Sequence, residues 1–152
     1  MHPTVRNAAT SRNVAGVGLI EVMVAVALLA FGMLGIAALQ ATALRNAQSA
    51  SERSRAVVAT YSILERMRAN YAVAGNGGYD LAAMTCAPPN AGDLAATDLH
   101  DWITSVQEQL GPAACGQIVD CGSDACKIIV QWDDSRGTGG SATQQVVTET
   151  RL

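Results

Sequence analysis

Glu21 is the residue of this sequence whose chemistry most needs an explanation. Its carboxyl group lies one helical turn inside an apolar segment that starts at Gly16 and continues without interruption from Val22 to Leu39. A charge in such a segment costs at least about 2.5 kcal/mol on membrane-insertion scales, so an intramembrane carboxylate indicates a function and needs a partner. If the chain is cut after Gly16, Val17 carries a free ammonium four positions from Glu21, on the same helix face.

The four cysteines form the second group with chemical potential. Cys86, Cys115, Cys121 and Cys126 all follow the apolar run, so on an exported chain they predict two disulfides with three possible connectivities. Cys121 and Cys126 flank a predicted hairpin loop, which favours Cys121–Cys126 and leaves Cys86–Cys115. A zinc site built from all four is the less favoured alternative, because paired C-x2-C spacing is missing. The absence of C-x-x-C also argues against a redox motif.

The remaining candidates for chemistry are two histidines and four aspartates: His2, His100, Asp98, Asp101, Asp133 and Asp134. Nothing with ligand spacing surrounds the aspartates, so we interpret them as helix caps and a polar turn rather than a metal or acid/base site. Gly137–Gly140 lacks the lysine and following helix of a phosphate loop. We therefore expect no enzymatic activity, no metal and no cofactor.

The charge is divided unevenly along the chain. The net charge is −3, but residues 1–70 carry seven arginines against three glutamates, and residues 71–152 carry three basic against ten acidic side chains. Because DNA binding relies on lysine and arginine, the acidic part argues against direct nucleic acid binding. Arg6 and Arg12 precede the apolar run, which predicts a cytoplasmic N-terminus, a single crossing of the bilayer and an exported C-terminal part.

Two simpler interpretations of the apolar run remain open. Ala41-Thr42-Ala43 offers a cleavage site for a conventional signal peptide, but the run is longer than the usual ~7–15 apolar residues and that region would not normally contain a glutamate. A plain single-pass anchor leaves Glu21 unexplained. Either one would make the protein an exported or anchored binding domain.

The apolar periodicity predicts one helix from about Val17 to about Asn70. Its first half is apolar all round, and its second half has an amphipathic stripe that is expected to pack on a head domain. The stripe consists of Leu44, Ala47, Ser51, Ser54, Val57, Val58, Tyr61, Leu64, Met67 and Tyr71. Residues 79–96 are predicted to be a loop. A second, short helix capped by Thr97 or Asp98 is expected to end at Gly111-Pro112.

Three short strands are predicted after that helix. They cover residues 117–121, 126–132 and 144–151, and the first two flank a four-residue hairpin loop. Ile128, Val130 and Trp132 share one face of the middle strand, so Trp132 is expected to be core rather than a binding platform. The predicted fold class is α+β, with a long N-terminal helix packed on a small antiparallel β-sheet.

The sequence Gly-Val-Gly-Leu-Ile-Glu at residues 16–21 resembles the class III signal of type IV prepilins, commonly Gly-Phe-Thr-Leu-Ile-Glu. Residues 31–40, 44–46 and 64–70 are similar to PilV-type minor pilins. The resemblance implies cleavage by prepilin peptidase between Gly16 and Val17, N-methylation of Val17 and an assembly role for Glu21. It also implies a pilin-like fold with a leader at 1–16, a transmembrane half-helix at 17–43 and an exported head at 44–152.

This resemblance also implies a function and a location. We expect a minor type IV pilin, a structural subunit that helps initiate pilus assembly and supports twitching motility, adhesion or DNA uptake. Its expected partners are prepilin peptidase, other minor and major pilins, the inner-membrane assembly platform and the lipid bilayer. The subunit would span the inner membrane once with a periplasmic head and then join the pilus fibre. A minor pseudopilin of a type II secretion system is the alternative, because the N-terminal signal is the same.

Overall fold

The computed structural model describes Gly16, residues 18–121 and residues 125–152. The helices in these ranges are α1 (Leu19–Ala69), α2 (Tyr71–Ala74) and α3 (Leu94–Leu110). The strands are β1 (Leu81–Thr85), β2 (Cys115–Val119), β3 (Cys126–Trp132) and β4 (Gln144–Thr150). They form an antiparallel sheet in the order β1-β2-β3-β4. The predicted α+β, pilin-like architecture is confirmed.

The first helix agrees closely with the predicted one. α1 ends at Ala69, one residue before the expected end, and begins at Leu19, while Val17 lies outside the described residues. The segment is rich in alanine, leucine and methionine and contains no proline, so local preference supports a helix throughout. Gly32 and Gly35 lie inside it, and an added Cβ at either would meet no atom within 4 Å.

The chain divides into two compact units, one ending at Leu39 and the other spanning Gln40–Leu152. In the first unit, residues 18–39 are all exposed. In the second unit, the buried part of α1 begins at Ala56 and continues through Ala59, Thr60, Ile63, Leu64 and Met67. These residues join α3 and the sheet in one hydrophobic core.

The predicted contact stripe on α1 was wrong in part. Leu64 and Met67 are buried, but Leu44, Val58 and Tyr61 are between 54% and 72% exposed. The packed face also includes the small residues Ala56, Ala59 and Thr60, and the Ala59 carbonyl accepts a 3.0 Å hydrogen bond from the indole Nε1 of Trp102 on α3. A periodicity weighted by large apolar residues does not identify such a face.

The short helix predicted to begin at Thr97 or Asp98 corresponds to α3 and begins earlier than predicted. α3 starts at Leu94, and its cap is Asp93, whose carboxylate accepts a hydrogen bond from the backbone N–H of Ala96 at 2.9 Å. Thr97 and Asp98 are therefore inside the helix and not at its cap. The expected apolar face is confirmed, with Leu99, Trp102, Ile103 and Val106 all buried.

The predicted loop at residues 79–96 was also wrong at its beginning, because it contains the edge strand β1. β1 pairs with β2 through a shifted register, and its sequence Leu-Ala-Ala-Met-Thr has little local strand preference, so pairing with β2 decides its conformation. β2 covers Cys115–Val119 instead of residues 117–121. It ends before Asp120, whose φ of 65° is incompatible with an extended strand.

The hairpin of β3 and β4 is close to the prediction. β3 has the predicted bounds, and its buried residues alternate as Cys126, Ile128, Val130 and Trp132. Trp132 is fully buried, which confirms that it is a core residue. β4 ends one residue before the predicted end and pairs with β3 over seven residues, from Trp132 opposite Gln144 to Cys126 opposite Thr150.

Candidate functional site

The predicted cleavage position lies at the N-terminal edge of α1. Gly16 is exposed and outside the helix, and Val17 lies outside the described residues. The first helical hydrogen bonds follow at once, because the Gly18 carbonyl accepts from the backbone N–H of Glu21 at 2.9 Å and of Val22 at 3.3 Å. A helix that begins after Gly18 leaves Gly16 free of helical backbone bonds.

Glu21 lies in the first turn of α1. The positive end of the helix dipole favours an acidic side chain there by about 0.3–1 kcal/mol, which offsets only part of the ~2.5 kcal/mol cost of a charge in a membrane segment. The Glu21 carboxylate forms no ion pair or side-chain hydrogen bond with any described residue, that is, with Gly16, residues 18–121 or residues 125–152. The structure therefore leaves the Glu21 carboxylate without a partner in the described part of the chain.

The surface that follows Glu21 is apolar on all sides. Large hydrophobic side chains from Leu19 to Leu39 are each at least 51% exposed, and Leu19 reaches 79%. α1 is long and apolar enough to cross a membrane, and the apolar window is not buried against the rest of the chain. Exposed apolar area on this scale marks a surface that contacts lipid or other protein.

Asp98, expected to be a cap, belongs to a polar network between α1 and α3. Its Oδ2 accepts a 2.6 Å hydrogen bond from the Tyr79 hydroxyl, and its Oδ1 lies 3.1 Å from a guanidinium nitrogen of Arg66. Arg66 also lies 3.6 Å from Asp101, and Asn70 donates to the Tyr79 oxygen at 3.2 Å. Burial and then the bond to Asp98 raise the pKa of Tyr79 above its ordinary value. The network holds the end of α1 against α3.

Asp134 is the second carboxylate with a structural role. It is 3% exposed and accepts a 2.6 Å hydrogen bond from the Ser49 hydroxyl on α1. The neighbouring Asp133 accepts from the backbone N–H of Ser135 at 2.9 Å, and the interactions with Ser135 are the main reason that its pKa is lowered. Asp133 and Asp134 therefore organise a polar turn, which is how we interpreted them from the sequence.

His100 and the cysteines show no sign of a metal centre. The Nδ1 atom of His100 lies 2.7 Å from the Pro89 carbonyl oxygen, and no group of three or more metal-ligating side chains occurs among the described residues. The four cysteines form two separate disulfides, Cys86–Cys115 and Cys121–Cys126. The disulfides leave no thiolate for the alternative zinc site.

Sequence reasoning missed the contributions of Tyr79, Arg66 and Ser49. Tyr79 lies in the segment interpreted as loop, Arg66 lies off the apolar stripe of the helix, and Ser49 is an ordinary polar residue of the helix. Each acts through a partner at least 19 residues away in the chain. The one sequence signal for these contacts was Tyr79, an aromatic residue in a segment predicted to be a polar loop, and it did not identify Asp98 as its partner.

The comparison with protein families concerns the same N-terminal segment. A family model described as the prokaryotic N-terminal methylation motif matches residues 11–37. The matched residues include Gly16, Val17 and Glu21 and most of the exposed apolar surface. The match supports a type IV pilin-like subunit. Such a signal implies processing by prepilin peptidase and assembly with other pilins. No curated protein and no solved structure matches the chain significantly.

Proposed function

We propose that this chain is a minor type IV pilin of the PilV type, which helps initiate pilus assembly. The observation that carries the proposal is the methylation motif at residues 11–37, placed on the start of a helix with an exposed apolar surface and a carboxylate that has no partner among the described residues. A structural subunit that leaves the membrane to join a fibre needs these three features together. Twitching motility, adhesion and DNA uptake are the pilus functions it would support.

The proposed processing follows from the position of the motif. Residues 1–16 form the cytoplasmic leader, residues 17–43 span the inner membrane, and residues 44–152 form the periplasmic head. Prepilin peptidase cuts between Gly16 and Val17, and the new N-terminus of Val17 is methylated. The inner-membrane assembly platform and other minor and major pilins then receive the mature subunit.

In this proposal, Glu21 sets the axial register between neighbouring subunits. At about 4 Å, a carboxylate and an ammonium attract by about 4 kcal/mol when the effective dielectric constant is 20, but desolvation removes much of this energy. The pair therefore contributes little net stability. It does penalise every arrangement that leaves Glu21 unpaired in the membrane, so it selects the axial position at which the N-terminus of Val17 in a neighbouring subunit meets it.

The head has the construction of a structural module. Its two disulfides lie at opposite ends of β2, and the described residues contain no metal-binding cluster. The similarity of residues 64–70 to PilV-type minor pilins favours a pilus over a type II secretion system. Co-purification with secretion pseudopilins instead of pilins would reverse that choice.

The test is the incorporation of a Glu21→Gln variant into pili. Glutamine keeps the size of the side chain and removes its charge. Glu65→Gln is the matched control because Glu65 is an exposed α1 residue whose ion pair is with its helix neighbour Arg68. We expect both variants to be processed and to remain in the membrane. We expect the amount of Glu21→Gln in sheared fibres to fall at least about tenfold, which corresponds to about 1.4 kcal/mol.

The outcomes distinguish the proposed classes of protein. Wild-type incorporation of Glu21→Gln would contradict the assembly role. Normal export of that variant with no fibre association of any variant would instead indicate an anchored binding domain.

A further inference from the structure

A cleft of about 480 Å³ lies between α1 and the turn that joins β3 to β4. Residues of α1 between positions 45 and 52 line one side, and residues 133–136 of the turn line the other. The cleft lies within the unit Gln40–Leu152. None of its lining residues belongs to the methylation motif or to a disulfide.

The turn is fixed against α1 by a part-buried hydrogen bond. The Ser49 hydroxyl donates to Asp134 at 2.6 Å, and the Asp134 backbone carbonyl accepts from the N–H of Gly137 at 2.9 Å. A Cβ at Gly137 would come within 2.7 Å of the Asp134 carboxylate, so the turn closes tightly around this aspartate. The walls of the cleft are therefore held in place without a ligand.

The exposed lining of the cleft carries charges of both signs. Arg45 lines the α1 side of the cleft and Arg136 lines the turn side, and neither guanidinium has an ion-pair or hydrogen-bond partner among the described residues. Glu52 and Asp133 contribute two carboxylates. The hydrogen bonds from Ser135 and, to a smaller extent, the charge of Arg136 lower the pKa of Asp133.

The position of Arg45 in the sequence indicates which ligand reaches this cleft. Arg45 is the first charged residue after Glu21, and the 23 residues between them, 22–44, are uncharged. In a helix they rise about 34 Å, close to the ~30 Å thickness of the hydrocarbon core. An arginine at the end of a spanning helix extends to the interface, where lipid phosphates lie. This step rests on the proposed membrane anchoring.

We propose that the cleft between α1 and the β3–β4 turn binds the zwitterionic headgroup of phosphatidylethanolamine from the outer leaflet of the inner membrane. Arg45 and Arg136 bind the phosphate, because guanidinium groups match phosphate oxygens in charge and geometry. Glu52 and Asp133 bind the ammonium group. The bound lipid holds the head at the membrane surface before assembly, and extraction of the subunit into a fibre requires its release.

Native mass spectrometry of the full-length protein in mild detergent tests this site. The protein is titrated with phosphatidylethanolamine, with phosphatidylglycerol and with free O-phosphoethanolamine. The variant is Arg136→Gln, and the matched control is Arg53→Gln, which removes an exposed α1 arginine that does not line the cleft. Unchanged thermal unfolding of both variants verifies that the exposed substitutions leave the head folded.

We expect wild type and Arg53→Gln to bind one phosphatidylethanolamine at least tenfold more tightly than Arg136→Gln. Phosphatidylglycerol should bind more weakly, because it offers no ammonium to Glu52 and Asp133, and Asp133→Asn should remove this preference. Free O-phosphoethanolamine should displace the lipid only at concentrations far above that of the lipid. Equal binding by Arg136→Gln and wild type would overturn the site, and displacement at equal concentration would overturn a lipid as its ligand.

The failure of this inference and of the proposed function can be told apart. Wild-type protein that is released from membranes by alkaline carbonate would contradict the anchoring on which both depend. Protein that resists carbonate but binds phosphatidylethanolamine equally in all variants would contradict the headgroup site alone.

Discussion

Gly116→Ala tests how tightly the head is packed on α1. Gly116 lies in β2, and a Cβ at this position would come within 2.5 Å of Cη2 and 2.6 Å of Cζ3 of the Trp102 indole and within 2.8 Å of Ile103 Cδ1. The indole cannot retreat freely, because its Nε1 is bonded to the Ala59 carbonyl on α1 at 3.0 Å. A single methyl group must therefore displace the residue that joins α3 to α1.

The expected cost combines two terms. Overpacking a dense core costs about 1–3 kcal/mol. If the indole moves, its buried N–H loses a hydrogen bond, and an unsatisfied buried donor costs about 1–3 kcal/mol. We expect a loss of about 2–4 kcal/mol in the free energy of unfolding, which for a domain of about 100 residues lowers Tm by roughly 8–20 °C.

Urea unfolding of the full-length protein, followed by tryptophan fluorescence, measures this loss. Gly92→Ala is the matched control, because its Cβ would make an ordinary 3.6 Å contact with Ala96. Combining Gly116→Ala with Trp102→Phe should cost less than the sum of the single changes, since both act on the same contact. Equal midpoints for Gly116→Ala and Gly92→Ala would refute the packing described here.

Three further changes probe the head. Tyr79→Phe should lower the free energy of unfolding by about 1–3 kcal/mol, because the Asp98 carboxylate loses a buried donor. Since the folded state raises the pKa of Tyr79, the stability that its hydroxyl contributes is fully present below the ordinary pKa of 10.0 and is lost as the pH rises through the folded pKa. Tyr79→Phe should lack this loss and the late component of phenolate absorbance. Replacing Cys86 and Cys115 by serine opens a loop with a sequence separation of 29 and should cost about 3–4 kcal/mol in urea unfolding. Ser49→Ala should cost about 1–3 kcal/mol in the same assay by leaving a buried carboxylate short of a donor.

Each of these changes has a control in the same chain. Ser51→Ala alters an exposed serine of α1 and should leave the urea midpoint unchanged, so an equal effect of Ser49→Ala would contradict its role. Replacing Cys121 and Cys126, separated by only five positions, should cost about 2 kcal/mol. A larger loss there than for Cys86 and Cys115 would contradict the loop-entropy explanation. A late phenolate component that persists in Tyr79→Phe would assign it to another tyrosine.

The features that the sequence predicts well are those that depend on local pattern. The continuous helix from Leu19 to Ala69 follows from composition and the absence of proline, and β3 follows from strict alternation with its apolar face buried. The exposed apolar surface before Leu39 follows in the same way, because no amphipathic pattern offers it a side to bury. These elements alone predict the α+β fold class.

The features that were missed depend on distant contacts. β1 has weak local preference and exists because β2 pairs with it. The packing face of α1 combines Ala56, Ala59 and Thr60 with Ile63, Leu64 and Met67, and the Ala59 carbonyl on this face accepts a hydrogen bond from Trp102. The sequence analysis favoured Thr97 or Asp98 as the cap of α3, whereas Asp93 caps the helix and Asp98, inside it, accepts a hydrogen bond from Tyr79. The cleft beside Arg45 requires the β3–β4 turn to fold back onto α1.

The most direct test of the central claim is the mass and identity of the N-terminal residue. The full-length gene is expressed beside its own prepilin peptidase, and the mature protein is analysed by intact-mass and peptide mass spectrometry. A chain that begins at Val17 with one added methyl group is the expected result, and it would establish a processed pilin-like subunit with its ammonium four positions from Glu21. A chain that begins at Leu44, or at an uncut Met1, would contradict the proposed function.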